Sequence, residues 1–265
     1  AITDIYQNSI LKDSSRNSFM IKRMEDLADR TIWAMGEQLK CGDFVPFVFE
    51  HKFNMEVGNG DRKQLMSGTI DRVDICENDT DVYVRIIDYK TGKKDFDIVK
   101  TYYGIDIQLM VYMEAAMKLV TKMRPRQHVI PAGVFYYNIS DPIVSATTES
   151  AEEIEDKIKG ELRLKGMVNS DKDIAEKMDN TEGTSLNIPV SRKADGGFDS
   201  RRSKVMSTEQ FNMLGRFVDV RAVDTADRIA GGDIRRSPYK DGQFSSCDRC
   251  PYGAVCGCSV NMTGC

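Results

Sequence analysis

Two β-patterned runs joined by a polar stretch constrain this chain more than any other feature. The first reads Ser67-Gly68-Thr69-Ile70-Asp71-Arg72-Val73-Asp74. The second ends Ile86-Ile87-Asp88-Tyr89-Lys90-Thr91-Gly92, and Asn78-Asp79-Thr80-Asp81 lies between them. Residues two apart along a strand share a face. Val82, Val84, Ile86, Asp88 and Lys90 therefore form one row, apolar until its last two members, and Asp71, Val73 and Ile75 form a similar row. With residues 78–81 as a hairpin loop, the register predicts Glu77 opposite Val82, Ile75 opposite Val84, and Asp71 opposite Asp88.

Directly opposed carboxylates have Cβ atoms roughly 4.5–5.5 Å apart and repel each other. A divalent cation between them removes the repulsion. Hard oxygen ligands select Mg²⁺ or Mn²⁺, and Mg²⁺ takes one or two protein carboxylates and fills its remaining positions with water and substrate phosphate. The expected substrate is a phosphodiester. Lys90 follows on the same face about 6–7 Å along the strand from Asp88, where an ammonium steadies an attacking water or the charge growing on the phosphorus oxygens. A solitary Asp-x-Lys is ordinarily a strand-end acid with a solvated partner. Here the row pattern, the opposed acid and the lysine coincide.

Residues 105–123 carry the apolar spacing and Ala, Leu and Met content of a helix, on which Gln108 and Tyr112 are four apart and share a face. On spacing alone, Tyr112 as core and Gln108 as a surface amide is an equally good reading. Near the end of the chain, Cys247-x2-Cys250-Pro251-x4-Cys256 brings thiols close together. Without a secretory leader, such spacing suggests metal binding rather than disulfides. A proline directly after a cysteine points to iron–sulfur ligation, with zinc the runner-up. Both want four ligands, and the motif supplies three. Cys258 and Cys265 are possible substitutes, although Cys265 ends a polar tail, and Cys41 and Cys76 read as packing cysteines.

The segments Gly68-Thr69-Ile70-Asp71-Arg72-Val73-Asp74 and Ile87-Asp88-Tyr89-Lys90-Thr91-Gly92, followed by Gln108 and Tyr112, resemble the RecB-like branch of the PD-(D/E)XK nucleases. More narrowly, residues 17–256 are similar to the C-terminal nuclease region of the AddB (RexB) family. The resemblance implies a restriction-endonuclease-like α/β fold with a mixed central sheet flanked by helices and a cysteine-rich tail. It implies metal ligation by Asp71, Asp88 and the Tyr89 carbonyl, catalysis by Lys90, and membership of Gln108 and Tyr112 in the motif that follows. It also implies a [4Fe–4S] cluster in the full-length protein, with a fourth cysteine far upstream, so that no intact cluster is expected in this chain. The implied activity is Mg²⁺-dependent exonucleolytic cleavage of DNA in double-strand-break repair and recombination. An AddA helicase-nuclease partner would feed single strands to the site. Two other classes remain: a catalytically silent DNA-binding or subunit-docking module, and a free-standing RecB-like exonuclease.

The family also carries an active-site histidine in an early helix. The candidates here are His51, in a strand-like run, and His128, which leads into Val129-Ile130-Pro131, and both read as structural. Residue 1 is not Met and the family's helicase-like region is missing, so the chain is expected to be a fragment of a larger protein. Residues 1–240 would form the nuclease domain and 241–265 the cysteine-rich segment.

The 265 residues are 41% hydrophobic and 29% charged, enough for a sizeable core and without a membrane-length apolar run. There is no signal-peptide pattern, and a cytoplasmic location is expected. The net charge of −4 gives no general attraction for DNA. Binding would fall to local clusters such as Lys90, Lys93 and Lys94, Lys122 to Arg126, or Arg201, Arg202 and Lys204. Along the chain, 16–40 is expected as a helix covering one sheet face through Phe19, Met20, Met24, Leu27, Ile32 and Leu39. A strand is expected at 44–57, in which Glu50 is either an outer acid of the metal site or, preferably, a solvent-exposed glutamate. Asn59-Gly60-Asp61 would turn the chain. Further elements are a strand at 128–139, helices at 152–164 and 171–178, a β-type excursion at 185–198 turning at Gly196-Gly197, and a long helix at 208–230 ended by Gly231-Gly232.

Overall fold

The computed structural model describes residues 14–60, 63–145, 150–242 and 244–257. In chain order the elements are α1 (Ser15–Lys40), β1 (Val45–Val57), β2 (Gln64–Glu77), β3 (Asp81–Lys90), α2 (Ile98–Tyr102), α3 (Gln108–Met123), β4 (His128–Asn138) and α4 (Ala151–Glu161). They continue with β5 (Lys165–Asn169), α5 (Lys172–Met178), β6 (Val205–Met206), α6 (Thr208–Ala230), β7 (Lys240–Asp241), β8 (Phe244–Ser245), a 3₁₀ turn (Ser246–Arg249) and α7 (Gly253–Cys256). Strands β1 to β6 form one six-stranded sheet in sequence order. It is mixed: β2–β3 and β4–β5 are antiparallel, whereas β3–β4 and β5–β6 are parallel. This is the α/β PD-(D/E)XK fold expected from the sequence.

The β2–β3 hairpin has the expected register, with Glu77 beside Val82, Ile75 beside Val84 and Arg72 beside Ile87. Its loop is closed by Asn78, whose side-chain oxygen accepts from the N–H groups of Thr80 (2.9 Å) and Asp81 (2.8 Å). An asparagine amide mimicking backbone in this way stabilises a tight turn. The parallel β3–β4 pair requires a crossover. Helix α3 supplies it, packing Leu109, Met110, Met113, Ala116 and Val120 with at most 2% exposure. Each such buried side chain contributes about 1.5–3 kcal/mol. Helix α3 covers the face that carries Asp88. A core including Ala34, Phe44, Cys76, Tyr83, Ile87, Phe135, Tyr137 and Val168, flanked by Trp33, fills the other face.

Helix α1 covers that second face as expected, but not through the stripe read from its sequence. Phe19 (64%), Met20 (49%), Met24 (65%) and Ile32 (67%) are exposed, and the buried positions are Ala34 and Gln38. Apolar spacing marks a helical stripe without saying which length of it meets a partner. Helix α3 also begins later than the expected residue 105, at Gln108. Asp106 is tied into the preceding turn, its carbonyl accepting from Thr101 Oγ1 at 2.9 Å. The 185–198 excursion appears as isolated bridges, Thr184 with Ser191 and Arg192 with Phe198, with Gly196 at φ 74° in its turn.

Contacts divide the chain into two compact units. One holds the described residues of Ala1–Phe53 together with Gly68–Phe96 and Gln108–Gly215. The other holds Asn54–Ser67, Asp97–Ile107 and the described residues of Arg216–Cys265. Within the second, the Tyr102 ring stacks on Phe217 at 5.2 Å, Tyr103 lies 5.0 Å from Tyr239, and the Asn59 amide donates to Asp227 at 3.0 Å. Asp61, in the expected turn after Asn59, lies outside the described residues. Among the described residues no helix is long and apolar enough to cross a membrane.

Candidate active site

The ladder between β2 and β3 runs as far as Arg72 and Ile87, and one further step of the same register sets Asp71 against Asp88. At that step a side chain replaces the backbone ladder: the Tyr89 N–H donates to Asp71 Oδ2 at 2.7 Å. On the other edge of β3, the Lys90 carbonyl accepts from the Ile139 N–H at 2.8 Å. Backbone groups of successive strand residues leave on alternate edges, so the Tyr89 carbonyl is directed to the β2 side, where Asp71 stands.

Asp88 is 2% exposed and is engaged from two directions. Its Oδ2 meets Lys90 Nζ at 2.5 Å, and its Oδ1 accepts from Gln108 Nε2 at 3.1 Å. Gln108 Nε2 also lies 3.0 Å from the Tyr112 hydroxyl. The helical spacing of four therefore does bring Gln108 and Tyr112 together, and onto Asp88. Lys90 remains 30% exposed, so its ammonium stands between a buried carboxylate and solvent. Gly68 permits this closeness. A Cβ there would lie 2.8 Å from the Phe53 ring and 3.2 Å from the Tyr112 ring, and those two rings already touch edge to face at 5.7 Å between centroids.

On the reverse face of the same strands lies a charged group to which the sequence reading gave no role. Asp74 is fully buried and receives Arg72 Nε (2.6 Å), Arg72 Nη2 (2.8 Å) and Arg85 Nε (2.9 Å). Burial draws the Arg85 guanidinium below its ordinary pKa while Asp74 works against that shift, and arginine stays charged regardless. The Arg85 guanidinium also lies over the Phe44 ring at 4.9 Å. Arg72 Nη1 reaches the Tyr89 hydroxyl at 3.5 Å. Burial pushes that phenol above its usual pKa, with Arg72 opposing. The group thus fixes, from behind, the residue between Asp88 and Lys90. Its signal was present in the sequence: period-two alternation puts Arg72 and Asp74 on one face, and the hairpin register sets Asp74 opposite Arg85.

Two aspartate carboxylates and a main-chain carbonyl form a hard oxygen donor set, the kind that holds Mg²⁺ or Mn²⁺. The residues present fit such an ion. Other expected residues lie elsewhere. His51 is within β1, and His128 pairs with Asp81 at the end of β3 remote from Asp88. Glu50 is exposed, with φ 49° kinking β1. Cys247, Cys250 and Cys256 occupy the 3₁₀ turn and α7 of the second unit. Among the described residues no three His, Cys, Asp or Glu side chains converge as a metal cluster. Cys258 and Cys265 lie outside the described residues. Cys76 is buried in the core as a packing residue, and burial raises the pKa of both Cys76 and Cys41. Of the basic clusters, Arg124 is taken by Glu77 (2.7 Å), Arg202 by Asp199 (3.4 Å) and Lys204 by Asp95 (2.5 Å).

A mixed sheet whose central hairpin ends in two acids and a lysine, backed by a helix that contributes Gln and Tyr, defines a nuclease of the PD-(D/E)XK class. The chain belongs to that family: the model of the PD-(D/E)XK nuclease superfamily matches residues 1–257. Among its relatives is the second subunit of the ATP-dependent helicase/deoxyribonuclease of Caldanaerobacter subterraneus subsp. tengcongensis, to which the chain is 36% identical over 266 residues. That match covers 96% of this chain and 23% of the relative. Proteins of the same name from Lachnoclostridium phytofermentans (35% identical, 98% of this chain, 23% of the relative) and Clostridium acetobutylicum (36%, 94% and 22%) are similarly related. The chain thus spans about a quarter of the length of these relatives.

Proposed function

We propose that this chain is the exonuclease domain of an AddAB-type helicase-nuclease, hydrolysing DNA phosphodiesters with the help of Mg²⁺ or Mn²⁺ held by Asp71, Asp88 and the Tyr89 carbonyl. The observation that carries the reading is the buried Asp88 carboxylate gripped by Lys90 and Gln108, next to an Asp71 held on the Tyr89 N–H. When bound, the cation polarises the phosphoryl oxygen and lowers the pKa of water. The chain's own residues do the rest. The Tyr89 N–H fixes one oxygen of Asp71, so that carboxylate needs little reorganisation to act. Gln108, braced by Tyr112, orients Asp88. Lys90, partly in solvent, offers its ammonium to the attacking water or to the oxygens of the phosphorus as charge develops there.

The relatives' name supports an assembly with a helicase-nuclease partner, AddA, that delivers single-stranded DNA to this domain in double-strand-break repair. Residues 1–240 would be the nuclease domain, working in the cytoplasm. The cysteine-rich segment 241–265 would contribute Cys247, Cys250 and Cys256 to a [4Fe–4S] cluster completed only in the longer protein. The decisive experiment is Mn²⁺-dependent cleavage of single-stranded DNA by the wild type and by Asp88→Ala. Loss of a ligand worth several kcal/mol should lower the rate at least about a hundredfold. Equal rates would discard catalysis and leave a DNA-binding or docking module.

A further inference from the structure

We propose that the cleft beside Lys90 is a second phosphate site, in which Lys165 and Lys94 hold the nucleic-acid backbone next to the phosphodiester presented to Asp88. This rests on the nuclease reading above. The register supplies the placement. Asp88 pairs with Tyr136 across β3–β4, and Tyr136 pairs with Lys165 across β4–β5. Partners directly across a ladder share a face, so Asp88, Tyr136 and Lys165 form a row across three strands. At about 4.8 Å per strand, Lys165 stands roughly 10 Å from Asp88. It comes from a segment that no motif in the sequence connects to the site.

The cleft has a volume of about 560 Å³ and opens where β3 and β4 end, with Lys93, Lys94, Asn138 and Lys165 in its wall. Asn138 fixes its floor: its side chain accepts the Lys94 N–H at 3.0 Å and donates to the Lys94 carbonyl at 2.9 Å. The ammonium groups of Lys90 and Lys94 lie 5.7 Å and 5.6 Å from the centre of the buried Tyr136 ring, so one ring joins the catalytic lysine to the cleft. Of the acids in the wall, Asp95 is engaged by Lys204 and Glu161 is exposed to solvent. Lys165 is half-buried and has no ion-pair partner among the described residues. Burial, and then the like charge of Arg163, disfavour its ammonium and lower its pKa. A cation so placed is stabilised by an incoming oxyanion, and beside a phosphodiesterase centre the polyanion at hand is the substrate strand.

The test measures binding and turnover separately. Anisotropy of a short 5′-labelled oligothymidylate in EDTA reads affinity against salt, and Mn²⁺-dependent cleavage reads KM and kcat. Lys165→Met keeps the aliphatic stem and removes the charge. It should weaken binding several-fold and make the slope of log K against log salt shallower by about 0.7, the value for one phosphate contact on a single strand. KM should rise by more than kcat falls, and Lys165→Arg should restore both. Lys22→Ala, which removes one exposed charge from α1, should leave the slope unchanged. An unchanged slope in Lys165→Met, or a fall in kcat with KM retained, overturns the proposal. Should Lys165→Met fold poorly, Lys165→Gln carries the same comparison. If the wild type and Asp88→Ala cleave equally, the nuclease reading fails while the anisotropy still decides the phosphate site.

Discussion

Asp74 shows how a single carboxylate can decide whether two arginines are tolerable in a core. Arg72 and Arg85 are 1% and 2% exposed, and both point their guanidinium groups at it. A second acid, Asp179, adds to the field at Arg85 and is itself held by Ser185 Oγ at 2.6 Å. Removing one member of such a group leaves a buried charge uncompensated and typically costs about 3–5 kcal/mol, whereas replacing the whole group with apolar residues is close to neutral. Asp74→Ala should therefore lower the urea midpoint sharply, and the triple change Arg72→Met, Asp74→Leu, Arg85→Met should recover most of the loss. A triple variant as unstable as Asp74→Ala would mean that the charges hold the fold by more than mutual compensation. The triple variant should still cleave more slowly than the wild type, because Tyr89 loses the Arg72 contact behind the strand that carries Asp88 and Lys90.

At the scale of elements, the site is a meeting of one hairpin with one helix, and Gly68 sets how closely they approach. Alanine there would bring its Cβ to 2.8 Å from the Phe53 ring, which is 8% exposed and braced against Tyr112. Overpacking of this kind costs about 1–3 kcal/mol. Gly68→Ala should lower the thermal midpoint and, by displacing Tyr112 from Gln108, slow cleavage as well; a variant with wild-type rate would show that the Tyr112 contact is dispensable. The hairpin was legible in the sequence because a period of two is strict: once Asn78 marked the loop, every pair from Glu77–Val82 onward followed. Gln108 and Tyr112 were legible for the analogous helical reason. Lys165 was not, since β5 reaches the site only through the strand order of the sheet, which no local pattern encodes. The buried face of α1 was missed on similar grounds. Phe19, Met20 and Met24 satisfy helical spacing equally well whether or not another element covers them.

For the molecule as a whole, the net charge of −4 means that attraction for a polyanion has to be local, and two aspartates at the centre of the site make it less favourable still. A divalent cation addresses both difficulties, which gives it a signature independent of catalysis. An ion that binds the folded chain and not the unfolded one stabilises it by RT ln(1 + [L]/Kd), about 1.4 kcal/mol at tenfold over Kd. For a chain of this size that corresponds to a rise of roughly 3–5 °C in Tm. Mg²⁺ should produce this rise in the wild type, EDTA should abolish it, and the Asp71→Ala, Asp88→Ala double variant should not show it. Lys90 sharpens the expectation, because its ammonium already occupies Asp88 Oδ2 and competes with the cation for that oxygen. Lys90→Met should therefore raise the apparent Mg²⁺ affinity read from the same melting curves while lowering cleavage. If Lys90→Met weakened Mg²⁺ binding instead, the lysine would be organising the ligand set rather than acting beside it.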